Sequence, residues 1–113
     1  MPDDELLKAA QEGKLHNKDE LQKQLARLLA DPRSQRFTKS FPTQWLRLRK
    51  VGMFAPDKKI YPNYDRHLEK SIIEEPLAFF SQVLKQRLTL REFIDSDWTM
   101  VNPRLAEFYG LPS

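Results

Sequence analysis

The 113-residue sequence contains no cysteine. This absence excludes disulfides, thiolate metal sites, thiol nucleophiles and covalent c-type haem attachment within the chain. Only three glycines are present, which argues against a turn-rich β-sandwich or barrel. No apolar run approaches the roughly 20 residues that a membrane-spanning helix needs, and the first residues lack a signal-peptide pattern. The expectation that remains is a helical globular domain.

Charge is distributed unevenly along the chain. The net charge is +3, and charged residues make up 31% of the sequence. Residues 27–60 carry nine basic and two acidic side chains, whereas the segments before and after them each have a net charge of −2. A basic middle segment of this kind could face a nucleic acid, an anionic surface or an acidic protein domain.

Capping residues and apolar spacing predict three helices in the first half of the chain. Acidic residues at positions 3–5 favour the start of the first helix, which is expected to stop at Gly13. Asn17 is the expected N-cap of the second helix, with Glu20 as its capping-box partner. The third helix is expected to begin at Pro32 and to close at Gly52, with its aromatic residues on one face.

Three further helices are expected in the second half. A long fourth helix is predicted over about residues 65–85, and Thr89 with Glu92 forms a capping-box candidate for a short fifth. Asn102 followed by Pro103 predicts the start of a sixth helix, and Gly110 its left-handed stop. The connection over residues 53–64 is expected to pack down through its apolar side chains, which are Met53, Phe54, Ile60, Tyr61 and Tyr64.

The resulting fold class is all-α, a helical-bundle-like single domain of five to six helices over residues 1–113. Pro42 and Pro76 interrupt the third and fourth helices, but the apolar stripes continue past both, so kinks and not breaks are expected. Trp45 is the expected anchor of the core. The predicted core consists of Leu25, Leu28, Phe37, Phe41, Trp45, Leu48, Ile72, Phe79, Phe80, Val83, Phe93 and Leu105.

Residues that could carry chemistry are scattered. Asp95 and Asp97 lie close together but lack the glycine and later glutamate of a calcium loop, so they are better explained as turn and cap residues. His16 and His67 are 51 residues apart, and neither has a second ligand at metal spacing. No nucleophile elbow or glycine-rich phosphate loop is present. No catalytic constellation, metal or cofactor is therefore expected in this chain.

Five stretches occur in an order that resembles a known family. They are RLLADPRSQRF at 27–37, QWLRL at 44–48, PDKKIYPNYD at 56–65, the Phe79-Phe80 pair and the tail from 95 to 110. Together they resemble a helical domain of unknown function from large multidomain proteins of planctomycete-type bacteria. The resemblance implies a piece of a larger, exported or periplasmic protein that often also carries a c-type haem module. It supplies no catalytic residues, and Pro42 and Pro76 depart from its pattern.

Three functions remain open from the sequence. The first is a non-catalytic helical interaction or scaffold module that contacts other domains of a parent protein, with self-association as an accompanying property. The second is an incomplete part of an enzyme, possibly a redox enzyme, whose active site needs neighbouring domains. The third is nucleic-acid binding through the basic third helix, which the lack of any recognition motif disfavours. The candidate interaction surface comprises Arg33, Arg36, Lys39, Arg47, Arg49, Lys50, Phe108, Tyr109 and Leu111.

Overall fold

The computed structural model describes residues 2–112, which form an all-α structure without a strand. Five α-helices are present: α1 Asp4–Gln11, α2 Lys18–Ala30, α3 Gln35–Trp45, α4 Arg66–Gln86 and α5 Pro103–Phe108. Four short 3-10 helices lie between them, at Lys14–His16, Pro32–Ser34, Leu48–Lys50 and Leu90–Phe93. The all-α prediction is confirmed.

Asn17 and Asn102 cap helices where the sequence places them, whereas Glu20 accepts from Gln24 and does not complete a capping box with Asn17. The Asn17 side chain accepts hydrogen bonds from the amides of residues 19 and 20 at 2.8 and 3.3 Å, and Asn102 accepts from the Leu105 amide at 2.9 Å. Pro103 occupies the first turn of α5. Gly110 adopts φ +67°, and the following amide of Leu111 donates to the Ala106 carbonyl at 2.9 Å. This pair of features is a Schellman stop, as the sequence predicted.

The third helix is shorter than predicted. It ends at Trp45 and not at Gly52, because Arg47 adopts the left-handed conformation (φ 53°, ψ 36°) and turns the chain. A 3-10 helix follows, in which Leu48 is buried. The predicted fifth helix is likewise only the 3-10 turn Leu90–Phe93, and Thr89 makes no side-chain capping bond.

Both internal prolines lie inside helices that continue through them. Pro42 is within α3 and is buried, and Pro76 is within the 21-residue helix α4. The prediction that neither proline ends its helix is therefore confirmed.

The chain divides into two compact units, residues 1–36 and residues 37–113. The first unit holds α1 and α2, and it buries the apolar Ala9 together with a polar network. Gln24 is buried, and its amide donates to carboxylates of Glu5 and Glu20 at 3.3 and 2.9 Å. Arg27 donates to both Asp3 carboxylate oxygens at 2.6 and 2.9 Å. Leu25, predicted to be a core residue, is exposed, since the side of α2 that turns inward carries Gln24.

The second unit is organised around α4 and α5. Leu68 and Leu105 are completely buried, and the Ser71 hydroxyl is equally inaccessible. The Asn102 amide donates to Ser71 Oγ at 2.8 Å, which fixes the start of α5 against α4. Of the predicted core, Leu48, Phe80, Val83 and Leu105 are buried, and Leu28, Ile72, Phe79 and Phe93 are half-buried.

The segment between the 3-10 helix Leu48–Lys50 and α4 does not pack down as predicted. Met53, Phe54, Ile60 and Tyr61 are all exposed, and only Tyr64 of the five apolar residues is half-buried. The backbone in this stretch closes into successive turns, with the amides of Ile60 and Tyr61 both donating to the Asp57 carbonyl at 3.1 and 2.8 Å. Tight turns leave little freedom for side chains on their outer side to turn inward.

Candidate interaction surface

Three aromatic side chains form a row along α3. Phe37, Phe41 and Trp45 are spaced at i, i+4 and i+8, so they lie on one face of the helix. Successive ring centroids are 5.4 and 5.8 Å apart. Exposure of the three side chains is 46%, 45% and 50%, respectively. The row is thus a packed surface with one side in solvent.

The row rests on aromatic rings from two other elements. Phe80 of α4 is only 8% exposed, and its ring centroid lies 5.8 Å from that of Phe37 and 5.6 Å from that of Phe41. Phe93, in the 3-10 helix Leu90–Phe93, meets Trp45 edge-on at 5.3 Å and Phe80 at 5.9 Å. We call these five residues the aromatic surface, and its rings are continuous from one end to the other.

A second aromatic contact supports Phe93 from behind. Phe79 packs edge-on against Phe93 at 5.4 Å and stacks on Trp98 at 4.3 Å. The Trp98 indole N–H donates to the Glu92 carboxylate at 2.9 Å. Glu92, expected to cap the backbone beside Thr89, therefore braces the aromatic surface instead.

Phe37, Phe41 and Trp45 were predicted to be core residues, and this prediction is wrong. The spacing of apolar residues correctly identifies a shared face of α3, but the buried position of the helix is Pro42. Periodicity shows which side chains lie together and does not show whether another element covers them. Contiguous exposed apolar side chains of this kind are typical of sites of association.

The basic residues predicted to line one helix lie on several elements. Arg33 is in the 3-10 helix Pro32–Ser34, Arg36 and Lys39 are in α3, and Arg47 is in the turn that follows. Arg49 and Lys50 end the 3-10 helix Leu48–Lys50. A single basic helix of the kind that enters a nucleic-acid groove is therefore not formed.

Two basic side chains in the middle segment of the chain, Arg27 and Arg33, already pair with carboxylates. Arg33 binds the Asp31 carboxylate at 2.7 Å, and this hydrogen bond, together with the Arg33 amide, lowers the pKa of Asp31 to about 2. Arg27 holds the pKa of Asp3 well below its usual range through its side-chain hydrogen bond. These charges serve the fold of the first unit.

The C-terminal residues are exposed but tied to the fold. Phe108, Tyr109 and Leu111 are each about half exposed. The Tyr109 hydroxyl donates to Glu75 at 2.8 Å, and desolvation, followed by this bond, raises the pKa of Tyr109.

An open cleft of about 400 Å³ lies beside Phe108. The Arg104 guanidinium in that cleft donates to the Asn63 carbonyl at 2.6 Å and also pairs with Asp65 and Glu107. Its charge is consequently compensated.

In the part of the chain that the structure describes, the two histidines and the Asp95–Asp97 pair do not form a metal site. Within residues 2–112, no group of three His, Cys, Asp or Glu side chains has the geometry to hold a metal ion. Asp95 pairs with Arg91 at 3.0 Å, while His16 and His67 lie on separate elements. Over the same residues, no helix has the length and apolar character to cross a membrane.

Comparison with known proteins identifies one family. The family model described as "Protein of unknown function (DUF1592)" matches residues 1–111. Neither the curated proteins nor the solved structures give a significant match.

Proposed function

The chain belongs to the DUF1592 family of proteins of unknown function, and we propose that it is a non-catalytic helical interaction module. The observation that carries this proposal is the aromatic surface. Phe37, Phe41 and Trp45 are held in a fixed row by Phe80 and Phe93, yet each leaves about half of its side chain in solvent. A rigid aromatic platform of this kind is the typical energetic centre of a protein–protein contact.

The binding partner that we propose for the aromatic surface is another domain of the same parent protein. Contacts between domains of one chain are formed at high effective concentration, so a modest apolar surface is enough to hold them together. The resemblance to large multidomain proteins supports this choice of partner and an exported location. Self-association of the isolated chain would use the same residues, since an uncovered aromatic surface is also available to a second copy.

The charge distribution around the row favours a contact with an acidic partner. No Asp or Glu occurs between Pro32 and Pro56, which is the stretch that carries the row. Lys39, Arg47, Arg49 and Lys50 form no ion pair within residues 2–112. Unpaired basic side chains beside an apolar centre steer association with an acidic surface and weaken it at high salt.

Fluorescence quenching tests whether the row becomes covered. In the 113-residue chain Trp98→Phe leaves Trp45 as the reporting indole, and iodide quenches it according to its exposure. In the full gene product the Trp45 signal is the difference between Trp98→Phe and the variant that also carries Trp45→Phe. We expect strong quenching in the isolated 113-residue chain and weak quenching in the full gene product. Equal quenching in both proteins, together with unchanged hydrogen exchange across α3, would remove the support for a covered aromatic surface. Trp45→Phe, which retains Trp98, is the matched control and should show similar quenching in the two proteins.

A further inference from the structure

We propose that residues 47–61 form a second surface that docks on an anionic lipid bilayer. This segment comprises the turn after α3, the 3-10 helix Leu48–Lys50 and the exposed turns that follow. It shares no residue with the aromatic surface, but its basic residues at positions 47–50 also belong to the charged surroundings of the row. The substitutions that test it lie at positions 54–60, which the interaction proposed above does not use. Its protruding apolar side chains, its charge and its anchoring all suit such a surface.

The apolar side chains of the segment project from turns. Phe54 is 85% exposed and Ile60 is 68% exposed, and Met53 and Tyr61 are also largely in solvent. They differ from the aromatic row, whose rings pack on a floor of other rings. A folded protein partner needs a matching cavity for each protruding side chain, whereas the fluid interfacial region of a bilayer accepts them without one.

The charge of the segment suits an anionic bilayer. It carries five basic residues and one acid, a net charge of +4. None of the five basic side chains forms an ion pair within residues 2–112. The acid, Asp57, is engaged with its own turn, since its carboxylate accepts from the Lys59 amide at 2.8 Å. The basic residues are Arg47, Arg49, Lys50, Lys58 and Lys59.

The segment is held firmly at both ends. Leu48 is buried, and Gly52 adopts φ +82° against the Glu69 carboxylate of α4, where an added Cβ would clash. The Tyr64 hydroxyl donates to the same carboxylate at 3.3 Å. Anchoring of this kind limits the ordering entropy that insertion of Phe54 and Ile60 would otherwise cost.

The test measures binding of the 113-residue chain to vesicles by co-sedimentation. One set of vesicles is an equal mixture of phosphatidylglycerol and phosphatidylcholine, and the other is phosphatidylcholine alone. We expect binding to the first set only, weakening as salt is raised. Lys58→Glu with Lys59→Glu should lower the partition coefficient by at least roughly 25-fold, since each basic residue near such a surface contributes roughly fivefold.

The apolar contribution is tested with a matched pair of variants. Phe54→Ala with Ile60→Ala should lower the partition coefficient about tenfold or more, since each inserted methylene contributes roughly fourfold. The control is Leu90→Ala with Ile94→Ala, which removes side chains that are 79% and 90% exposed. That control should bind as the wild type does, because residues 89–97 have a net charge of −2 and Arg91 pairs with Asp95.

Insertion is observed directly with Phe54→Trp in a Trp45→Phe, Trp98→Phe background. Its emission should shift to the blue on anionic vesicles, whereas Ile94→Trp in the same background should not shift. Several outcomes would overturn the proposal: equal binding to both sets of vesicles, no effect of the Phe54 and Ile60 substitutions, or an equal loss in the control. Binding to an oligonucleotide or to an acidic protein in the absence of vesicle binding would likewise overturn it. Far-UV circular dichroism of each variant verifies that the fold is intact.

Discussion

The cost of removing Trp45, compared with that of removing Phe80, tests whether the aromatic surface is open. The two side chains belong to one ring cluster, joined through Phe41 and Phe93, but they differ in burial. Phe80 is 8% exposed and Trp45 is 50% exposed. A fully buried aromatic residue replaced by alanine typically costs about 3–5 kcal/mol. Phe80→Ala should therefore fall in that range.

Trp45→Ala should cost about half as much, roughly 1.5–2.5 kcal/mol, because about half of the indole surface is already in water. The sequence alone, with Trp45 as the anchor of the core, implied the larger value. Trp45→Phe, which keeps a ring in the row, should recover most of the loss.

The assay is urea denaturation followed by far-UV circular dichroism, which does not depend on the tryptophan that is removed. Equal losses for Trp45→Ala and Phe80→Ala would refute the reasoning, because they would mean that Trp45 is covered in the isolated chain. A loss for Phe80→Ala below about 1 kcal/mol would instead show that the ring floor does not stabilise the second unit. Analytical ultracentrifugation at the assay concentration verifies that no second copy covers the row.

Three further predictions concern the framework. The Arg27 side chain lowers the pKa of Asp3, so ionised Asp3 stabilises the fold fully above its unfolded pKa of 3.8. This stabilisation is lost as the pH falls below 3.8. Asp3→Asn should therefore flatten the acid side of the stability–pH curve, measured by thermal unfolding. Gly13→Ala and Gly52→Ala should each cost about 1–2 kcal/mol in urea denaturation because both positions have positive φ. Gly52→Ala should cost more, since its Cβ must also displace the Glu69 carboxylate from the Tyr64 hydroxyl that donates to it. Asn102→Ala should cost about 1–2 kcal/mol through the lost cap, and Asn102→Asp should recover only the capping part because it cannot donate to Ser71.

Local signals in the sequence predicted the local structure well. Asn17 and Asn102 cap helices, and Gly110 stops one, because each acts through hydrogen bonds or backbone angles within a few residues. The continuation of both helices through Pro42 and Pro76 was also predicted correctly from the apolar residues on either side of them. In these cases the interactions that start, stop or continue a helix all come from residues close in sequence.

Long-range packing could not be predicted in the same way. The row on α3 was assigned to the core because an amphipathic pattern does not reveal whether a partner surface exists. Gln24 was missed as a buried residue because its burial depends on Glu5, which is 19 residues away. The end of α3 was misplaced because Arg47, a residue with no special preference for positive φ, adopts the left-handed conformation. The exposure of the apolar side chains at 53–61 could not be predicted, because their apolar composition alone favoured burial.

The dependence of α4 on α5 has a consequence for synthesis of the protein. Helix α5 has only six residues, too few to be stable alone, yet it contributes the completely buried Leu105. Its first turn is fixed by the bond between Asn102 and Ser71, which spans 31 residues. While α5 is still inside the ribosome, α4 exposes the apolar side chains that Leu105 later covers. The nascent second unit is therefore a candidate for chaperone contact until residue 105 has emerged.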